Sequence, residues 1–315
     1  MKYIESMREG EKVSDIYLCK HRISAVTKNG KAYESVILQD KTGTVDGKIW
    51  DPNSQGIGEF DALDYVDVVA DIISFNGALQ LNIKRIRKVS DEEYNPADYL
   101  PVSAKNIDSM FEELKKYIDS VQNQYFRKLL NMFFSDDAEF IRVFKAHSAA
   151  KSVHHSFVGG LLEHTLSVTK LCDYYAKSYT VLNRDLLITS AIFHDIGKVR
   201  ELAAFPINDY TDDGQLLGHI MIGAEMISEK IAKIEDFPKK QASELKHCIL
   251  AHHGELEYGS PKKPSLAEAL ALNLADNTDA KLETMTEIIS SSSQDDSQWI
   301  GYNRFFESNI RKTSK

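Results

Sequence analysis

The stretch LLITSAIFHDIG, residues 186–197, places a histidine and an aspartate side by side, His194 and Asp195, in a run that is otherwise apolar or small. An unpaired carboxylate is costly to bury there, so Asp195 needs a cation or hydrogen-bond donors close by. The remaining sequence offers them. Every histidine except His21 falls between His147 and His253, and His164, His219, His252, His253 and Asp276 bracket the pair. A lone histidine on a helix is more often a satisfied core or surface residue than a ligand, so it is the ensemble that points to a metal centre. Imidazole with carboxylate suits zinc, iron, manganese or magnesium. Neighbouring residues of a helix point about 100° apart, so His194 and Asp195 serve one centre together only if the carboxylate also reaches sideways, as one that bridges two ions does. Ligands so far apart in sequence require several helices to converge.

Helical spacing surrounds this stretch. Apolar residues recur at three and four residues through 110–121, 126–134, 161–175, 186–196, 219–234 and 241–251, which predicts an all-α domain over 106–315. Upstream the period changes to two, with strands expected near 13–27, 33–40, 44–50, 65–75 and 79–89. Asn29-Gly30 and Asn76-Gly77 are the dipeptides that type I′ hairpins prefer. Five such strands fit an OB-type barrel over residues 1–90. In the last strand the inward phase moves from Leu79, Leu81 and Ile83 to Ile86, which predicts a bulge near Lys84 and Arg85 and leaves Lys84, Arg85, Arg87 and Lys88 clustered. Acids and two prolines mark 91–105 as a linker. The expected fold is thus multi-domain α+β, a five-stranded barrel followed by an all-α domain.

Composition narrows the function. A chain of 315 residues that is 43% hydrophobic can bury a sizeable core. Residues 1–90 are neutral, with 13 basic against 13 acidic residues, so the net charge of −9 resides in 91–315. A neutral barrel with a local basic cluster suits a nucleic-acid platform, and an acidic helical part suits divalent cations. Cys19, Cys172 and Cys248 show no paired spacing, which argues for a reducing compartment, with the cytoplasm expected. Neither an export signal nor a membrane span is expected. No phosphate loop of the G-x-x-x-x-G-K type and no G-x-S-x-G elbow occurs, which weighs against kinases, ATPases and serine hydrolases.

The order His164, His194-Asp195, Asp276, with the segment His194-Asp-Ile-Gly-Lys198, resembles the HD superfamily of metal-dependent phosphohydrolases. Together with Asp40-Lys-Thr-Gly43, His154-His-Ser-Phe-Val-Gly-Gly-Leu-Leu-Glu-His-Thr165, His252-His-Gly254 and Gly259-Ser-Pro261, nearly the whole chain is similar to the YhaM-type 3′-to-5′ exoribonucleases, which join an OB fold to an HD domain. The resemblance implies two divalent ions, manganese first, with iron, magnesium or zinc as alternatives. It implies that His164, His194, Asp195 and Asp276 hold one ion, and that Asp195 bridges to a second held by His219 and by His252 or His253. Lys198 would meet a substrate phosphate. The sequence departs from the expected pattern at Asn273, where a histidine would stand one helical turn before Asp276.

The expected activity is hydrolysis of single-stranded RNA, or single-stranded DNA, from the 3′ end by an enzyme that assembles as a homo-oligomer. Such chemistry needs no protein nucleophile, because two ions activate and orient a water and neutralise the phosphate. Asp195 and Lys198 are the expected catalytic residues. For the strand, His154 and His155 are candidates in the helical part, and Tyr33, Phe75 and His21 offer rings beside Lys84, Arg85, Arg87 and Lys88 in the barrel. A phosphohydrolase of nucleotides or cyclic dinucleotides, and a non-catalytic RNA-binding protein, are the alternatives.

Overall fold

Alternation of β-branched and polar residues gives the first ninety residues one face to bury, and they bury it by closing on themselves. In the computed structural model, which describes residues 1–27, 29–90, 92–95, 98–151, 155–292 and 298–314, the strands are β1 (Lys12–Val26), β2 (Ala32–Asp40), β3 (Gly43–Ile49), β4 (Tyr65–Phe75) and β5 (Ala78–Lys88). They form a closed barrel in the order β1-β2-β3-β5-β4, with β3 parallel to β5 and the other pairs antiparallel. Tyr17, Val36, Leu38, Ile49, Val66, Val68, Ile72, Leu81 and Ile86 fill the interior. Burying each aliphatic side chain fully is worth about 1.5–3 kcal/mol relative to exposure.

Local chemistry sets the register. Asn76 and Gly77 both take positive φ, 52° and 81°, and join the paired Phe75 and Ala78 as a type I′ turn. The first hairpin differs from the expected type I′ turn. Gly30 donates its N–H to Thr27 O, Thr27 donates to Lys31 O, and of Asn29 and Gly30 only the glycine is left-handed. Gly30 supplies the left-handed residue of this hairpin. The expected bulge on β5 is present: Val69 pairs with Arg85 and Ala70 with Ile83, leaving Lys84 as the extra residue. Asp40 is buried and structural, accepting hydrogen bonds from Thr42 N–H, Gly43 N–H and Ile4 N–H.

Two units partition the chain, Met1–Ala104 with Ala203–Asp209, and Lys105–Leu202 with Tyr210–Lys315. The second is helical: α1 (Ile107–Ser120), α2 (Gln124–Phe134), α3 (Ala138–Ala146), α4 (Gly160–Ser178), α5 (Arg184–Phe193), α6 (Lys198–Glu201), α7 (Asp212–Ile231), α8 (Lys239–Leu250) and α9 (Ala267–Ser291). Asn106, Asn123, Asp137, Asn183 and Thr211 cap α1, α2, α3, α5 and α7 by accepting from backbone N–H groups one turn in. Such a cap is worth about 1 kcal/mol. Leu114, Leu129, Phe144, Leu162, Leu187, Phe193, Ile227, Leu245 and Leu272 bring most of these helices into one apolar core.

The unit is not wholly helical, because β6 (Trp299–Asn303) and β7 (Ser308–Arg311) form an antiparallel hairpin. Among the described residues no helix is long and apolar enough to cross a membrane.

Candidate metal centre

Residues Leu186 to Phe193 of α5 are buried on every side, so the helix runs through the core and delivers its C-terminus to the interior. The helical spacing predicts continuation to Ile196, but α5 ends at Phe193. The backbone beyond it tightens, with Ile196 N–H donating to Phe193 O and Lys198 N–H to Asp195 O. A Cβ on Gly197 would stand 2.0 Å from His219 O and 2.7 Å from Gly223 N, so glycine is what lets this segment lie against α7. Gly218, with φ 71° and ψ 157°, breaks α7 one residue before His219, so the regular helix begins where the apolar spacing places it.

Asp195 lies between two groups of donor atoms. On one side its Oδ2 is 3.4 Å from both His164 Nε2 and His194 Nε2. Asp276 Oδ1 completes that group, 3.2 Å from His164 Nε2 and 4.0 Å from His194 Nε2. On the other side Asp195 Oδ1 is 3.4 Å from His219 Nε2 and 3.8 Å from His252 Nε2. The His253 ring stands beside both, its centroid 5.2 Å from that of His219 and 4.2 Å from that of His252. In each trio, His164, His194 and Asp276 or His219, His252 and His253, one donor atom from every residue lies within 4.8 Å of the others. The sequence-expected set, drawn from α4, the α5 terminus, α7, the segment after α8, and α9, is therefore brought together.

The protonation of the imidazoles decides what the centre can hold. His194 Nδ1 donates to Ala191 O at 2.8 Å, His252 Nδ1 to Ile249 O at 2.7 Å, and His253 Nδ1 to Tyr258 O at 2.8 Å. His164 Nδ1 lies 2.7 Å from Asp279 Oδ2, and His219 Nδ1 lies 2.9 Å from Glu201 Oε1. With every Nδ1 committed to an oxygen, every Nε2 faces the centre, and a cation there would take the place of the proton that the surrounding carboxylates hold on His164. Asp195 Oδ1, His219 Nε2 and His252 Nε2 are buried and make no hydrogen bond. Buried polar atoms are nearly always paired, and three converging acceptors cannot pair with one another. A divalent cation satisfies them, so the residues fit such an ion.

The two sides differ in charge. Burial opposes protonation of His164, but Asp195, Asp276 and Asp279 around it raise its pKa well above the ordinary imidazole range. Burial would raise the pKa of Asp276 and Asp279, yet His164 and its neighbours hold both carboxyls far below the usual range. Burial, with His253 and His194 beside it, pushes His252 well down, so it stays neutral and able to ligate. Asp195 is likewise held well below the carboxylate range despite burial, first by Lys198 and then by His194.

Lys198 extends its Nζ to 2.7 Å from Asp195 Oδ2. The ammonium thus rests on the central carboxylate itself, and Asp195 raises the pKa of the lysine against its burial. Asn273 donates its amide to His252 O at 2.7 Å, steadying the His252 segment where a histidine was expected to support Asp276. Asp279 and Glu201 are absent from the sequence-derived candidates. Asp279 lies three residues beyond Asp276 on α9, a spacing that puts both on one helix face, and that was the only signal available for it. Glu201 also receives the His219 backbone N–H at 2.9 Å. His155 places Nε2 3.1 Å from Asp279 Oδ2, among the centre's supports. His154 lies outside the described residues.

The barrel candidates belong to the other unit. Tyr33 stacks on Trp50 with ring centroids 5.2 Å apart, and Phe75 and His21 are exposed. Lys84 pairs with Asp71, Arg87 with Asp67 and Glu93, and Lys88 with Asp64. Arg85 is exposed.

Comparison with known proteins agrees with this geometry. The HD domain family matches residues 161–281. The 3′-5′ exoribonuclease YhaM of Bacillus subtilis is 34% identical over 278 residues, 88% of this chain and 87% of that protein. The protein of the same name from Listeria innocua is 34% identical over 284 residues, 89% of this chain and 88% of its own. The second OB-fold domain of replication protein A from Methanococcus maripaludis aligns to 29% of this chain and 95% of its own at 16% identity, with a TM-score of 0.23. That likeness carries no weight beside the closed five-strand order. At one third identity over almost its whole length, the chain belongs to the YhaM family of 3′-5′ exoribonucleases.

Proposed function

We propose that the protein is a metal-dependent 3′-to-5′ exoribonuclease whose centre holds two divalent ions, manganese first among them, one on each side of Asp195. The observation that carries this reading is the central carboxylate with a separate donor trio at each oxygen. His164, His194 and Asp276 would hold one ion, His219, His252 and His253 the other, with Asp195 shared. Ions so placed would supply Lewis acidity toward a phosphate oxygen and lower the pKa of a water to a neutral value.

The chain's own residues do the rest. Asp279 and Glu201 hold His164 and His219 in the tautomer that turns Nε2 inward. Lys198 neutralises charge at Asp195 and is positioned to exchange that carboxylate for a substrate phosphate. The barrel is the natural holder of a single strand, offering the Tyr33 and Trp50 rings and the basic residues of β5. Single-stranded DNA fits the same contacts. A cytoplasmic setting agrees with the three free, buried cysteines. Assembly as a homo-oligomer is part of this proposal.

The test is a 5′-labelled single-stranded RNA incubated with the protein and Mn²⁺, its products resolved by length. A ladder receding from the 3′ end supports the proposal. Intact RNA beside rapid hydrolysis of nucleotides or cyclic dinucleotides would replace it with a small-molecule phosphohydrolase.

A further inference from the structure

The hairpin β6–β7 plays no part in the centre described above. In its register Trp299 pairs with Arg311, Gly301 with Ile310 and Tyr302 with Asn309, with Ile300 bulged between the first two pairs. Directly opposed residues share a face and successive pairs alternate, so Trp299, Arg311 and Tyr302 lie on one face and Ile310 on the other. Burial agrees: Ile310 is 5% exposed, while Trp299 and Tyr302 are 58% and 65% exposed. Phe305, at the turn, is 57% exposed. The Arg311 guanidinium lies 5.9 Å from the centroid of the Trp299 ring.

Trp299 and Tyr302 thus present two large rings on one outward face, with the Arg311 guanidinium beside the first. Charge identifies the partner. Residues 298–312 hold Arg304, Arg311 and Lys312 against Glu307 alone, in a chain whose net charge is −9. A locally cationic, aromatic strand face on an acidic protein is complementary to a polyanion with π faces. A second copy of this acidic chain would bring negative charge but no bases to stack. Trp299 and Tyr302 occupy successive same-face positions of the ladder, about 7 Å apart along an ideal strand, a repeat open to successive unstacked bases.

We propose that the β6–β7 hairpin is a second binding site for single-stranded RNA, in which Trp299 and Tyr302 stack on bases and Arg311 contacts the backbone. This rests on RNA being the substrate. It adds a contact on the helical unit to whatever the barrel supplies.

Only Trp50 and Trp299 are present, so a full-length Trp50→Phe protein reports Trp299 alone by fluorescence. Titration with a 5′-labelled oligouridylate of about twenty nucleotides in EDTA should quench that emission saturably. Stacking on one aromatic residue is worth roughly five- to 150-fold in affinity. Tyr302→Ala and Trp299→Ala in the otherwise native chain should therefore each weaken binding by about tenfold, and Trp299→Phe should restore most of it. Hydrolysis of a small phosphodiester with Mn²⁺ should not change, which also establishes that the alanine variants are folded. Unchanged Trp299 emission together with unchanged affinity in the alanine variants overturns the proposal. So does a drop in sedimenting mass at unchanged RNA affinity, which would make the hairpin a contact between copies. If instead the native protein binds no RNA at all, it is the exoribonuclease reading that fails.

Discussion

Asp195 Oδ1 and His219 Nε2 lie 3.4 Å apart, both buried and neither hydrogen-bonded. With its Nδ1 proton held by Glu201, a neutral His219 ring offers a lone pair at Nε2, so a cation completes the pair. Asp195→Asn keeps the shape of the side chain but removes the charge shared by both trios. Turnover should fall by more than about 100-fold, beyond the 10–100-fold typical of residues that merely support a ligand. Metal stoichiometry should fall with it while the far-ultraviolet circular dichroism stays native. Activity within about tenfold of the native protein at full metal content would make Asp195 structural.

Lys198 gives a prediction of opposite sign for affinity and rate. Its ammonium, 2.7 Å from Asp195 Oδ2, competes with a cation for the same oxygen. Lys198→Met should raise metal affinity, because a like charge leaves the site, and lower turnover, because no ammonium remains for the phosphate. Without metal the variant is less stable, since breaking a buried pair typically costs about 3–5 kcal/mol. Mn²⁺ should therefore raise the Tm of the variant by more than it raises that of the native protein. An equal or smaller rise would place Lys198 outside the metal's electrostatic reach.

Asp279 and Glu201 offer a test of the two sides separately. Asp279→Asn frees His164 from its carboxylate, and Glu201→Gln does the same for His219. Each should weaken Mn²⁺ binding by about 10–100-fold, read by calorimetric titration. If two ions bind, each variant should show one weakened and one near-native phase. A single phase shifted alike in both variants would argue for one ion.

Gly197 tests the backbone contact that sets the centre. A Cβ there would meet His219 O at 2.0 Å, and backbone cannot yield as the end of a flexible side chain can. Gly197→Ala should destabilise by about 3 kcal/mol, the upper end of ordinary overpacking, and should displace His219. Urea unfolding with a parallel Mn²⁺ titration checks both. Stability within about 0.5 kcal/mol of native would mean that the α5 terminus and α7 are free to separate.

These outcomes follow unevenly from the sequence. The barrel was legible because alternation, Asn76-Gly77 and the phase shift at Lys84 are local signals, each written within a few residues. The central histidines and aspartates were legible as an ensemble, because an apolar stretch gives Asp195 no reason to be there without a partner. The close backbone approach at Gly197 was not, since its partner is α7, whose Gly223 lies 26 residues further on. Asp279 and Glu201 were invisible for the same reason: a carboxylate acquires its role from the imidazole that folding sets against it. Helix α3 carries Phe140, Ile141, Val143 and Phe144 at helical spacing, but at nine residues that stripe is too short to stand out between its neighbours.

The basic residues of β5 carry the last prediction, and the structure alters it. Lys84, Arg87 and Lys88 face Asp71, Asp67, Glu93 and Asp64, so the cluster is close to neutral taken with its partners. If all four bases neutralised phosphates without such partners, log affinity would fall with log salt at a slope of about −2.8, that is about −0.7 for each contact. Pairing with acids should make the slope shallower, because a phosphate approaching Lys84 also approaches Asp71. Removing an acid should then help: Asp71→Asn should tighten RNA binding at low salt and steepen the slope, whereas Arg85→Ala should weaken binding and flatten the slope by about 0.7. Binding of a 5′-labelled single-stranded RNA in EDTA, from about 50 to about 300 mM salt, measures both. Should neither substitution move the slope, the strand does not pass over β5, and Tyr33 with Trp50 on the β2–β3 side becomes the place to look.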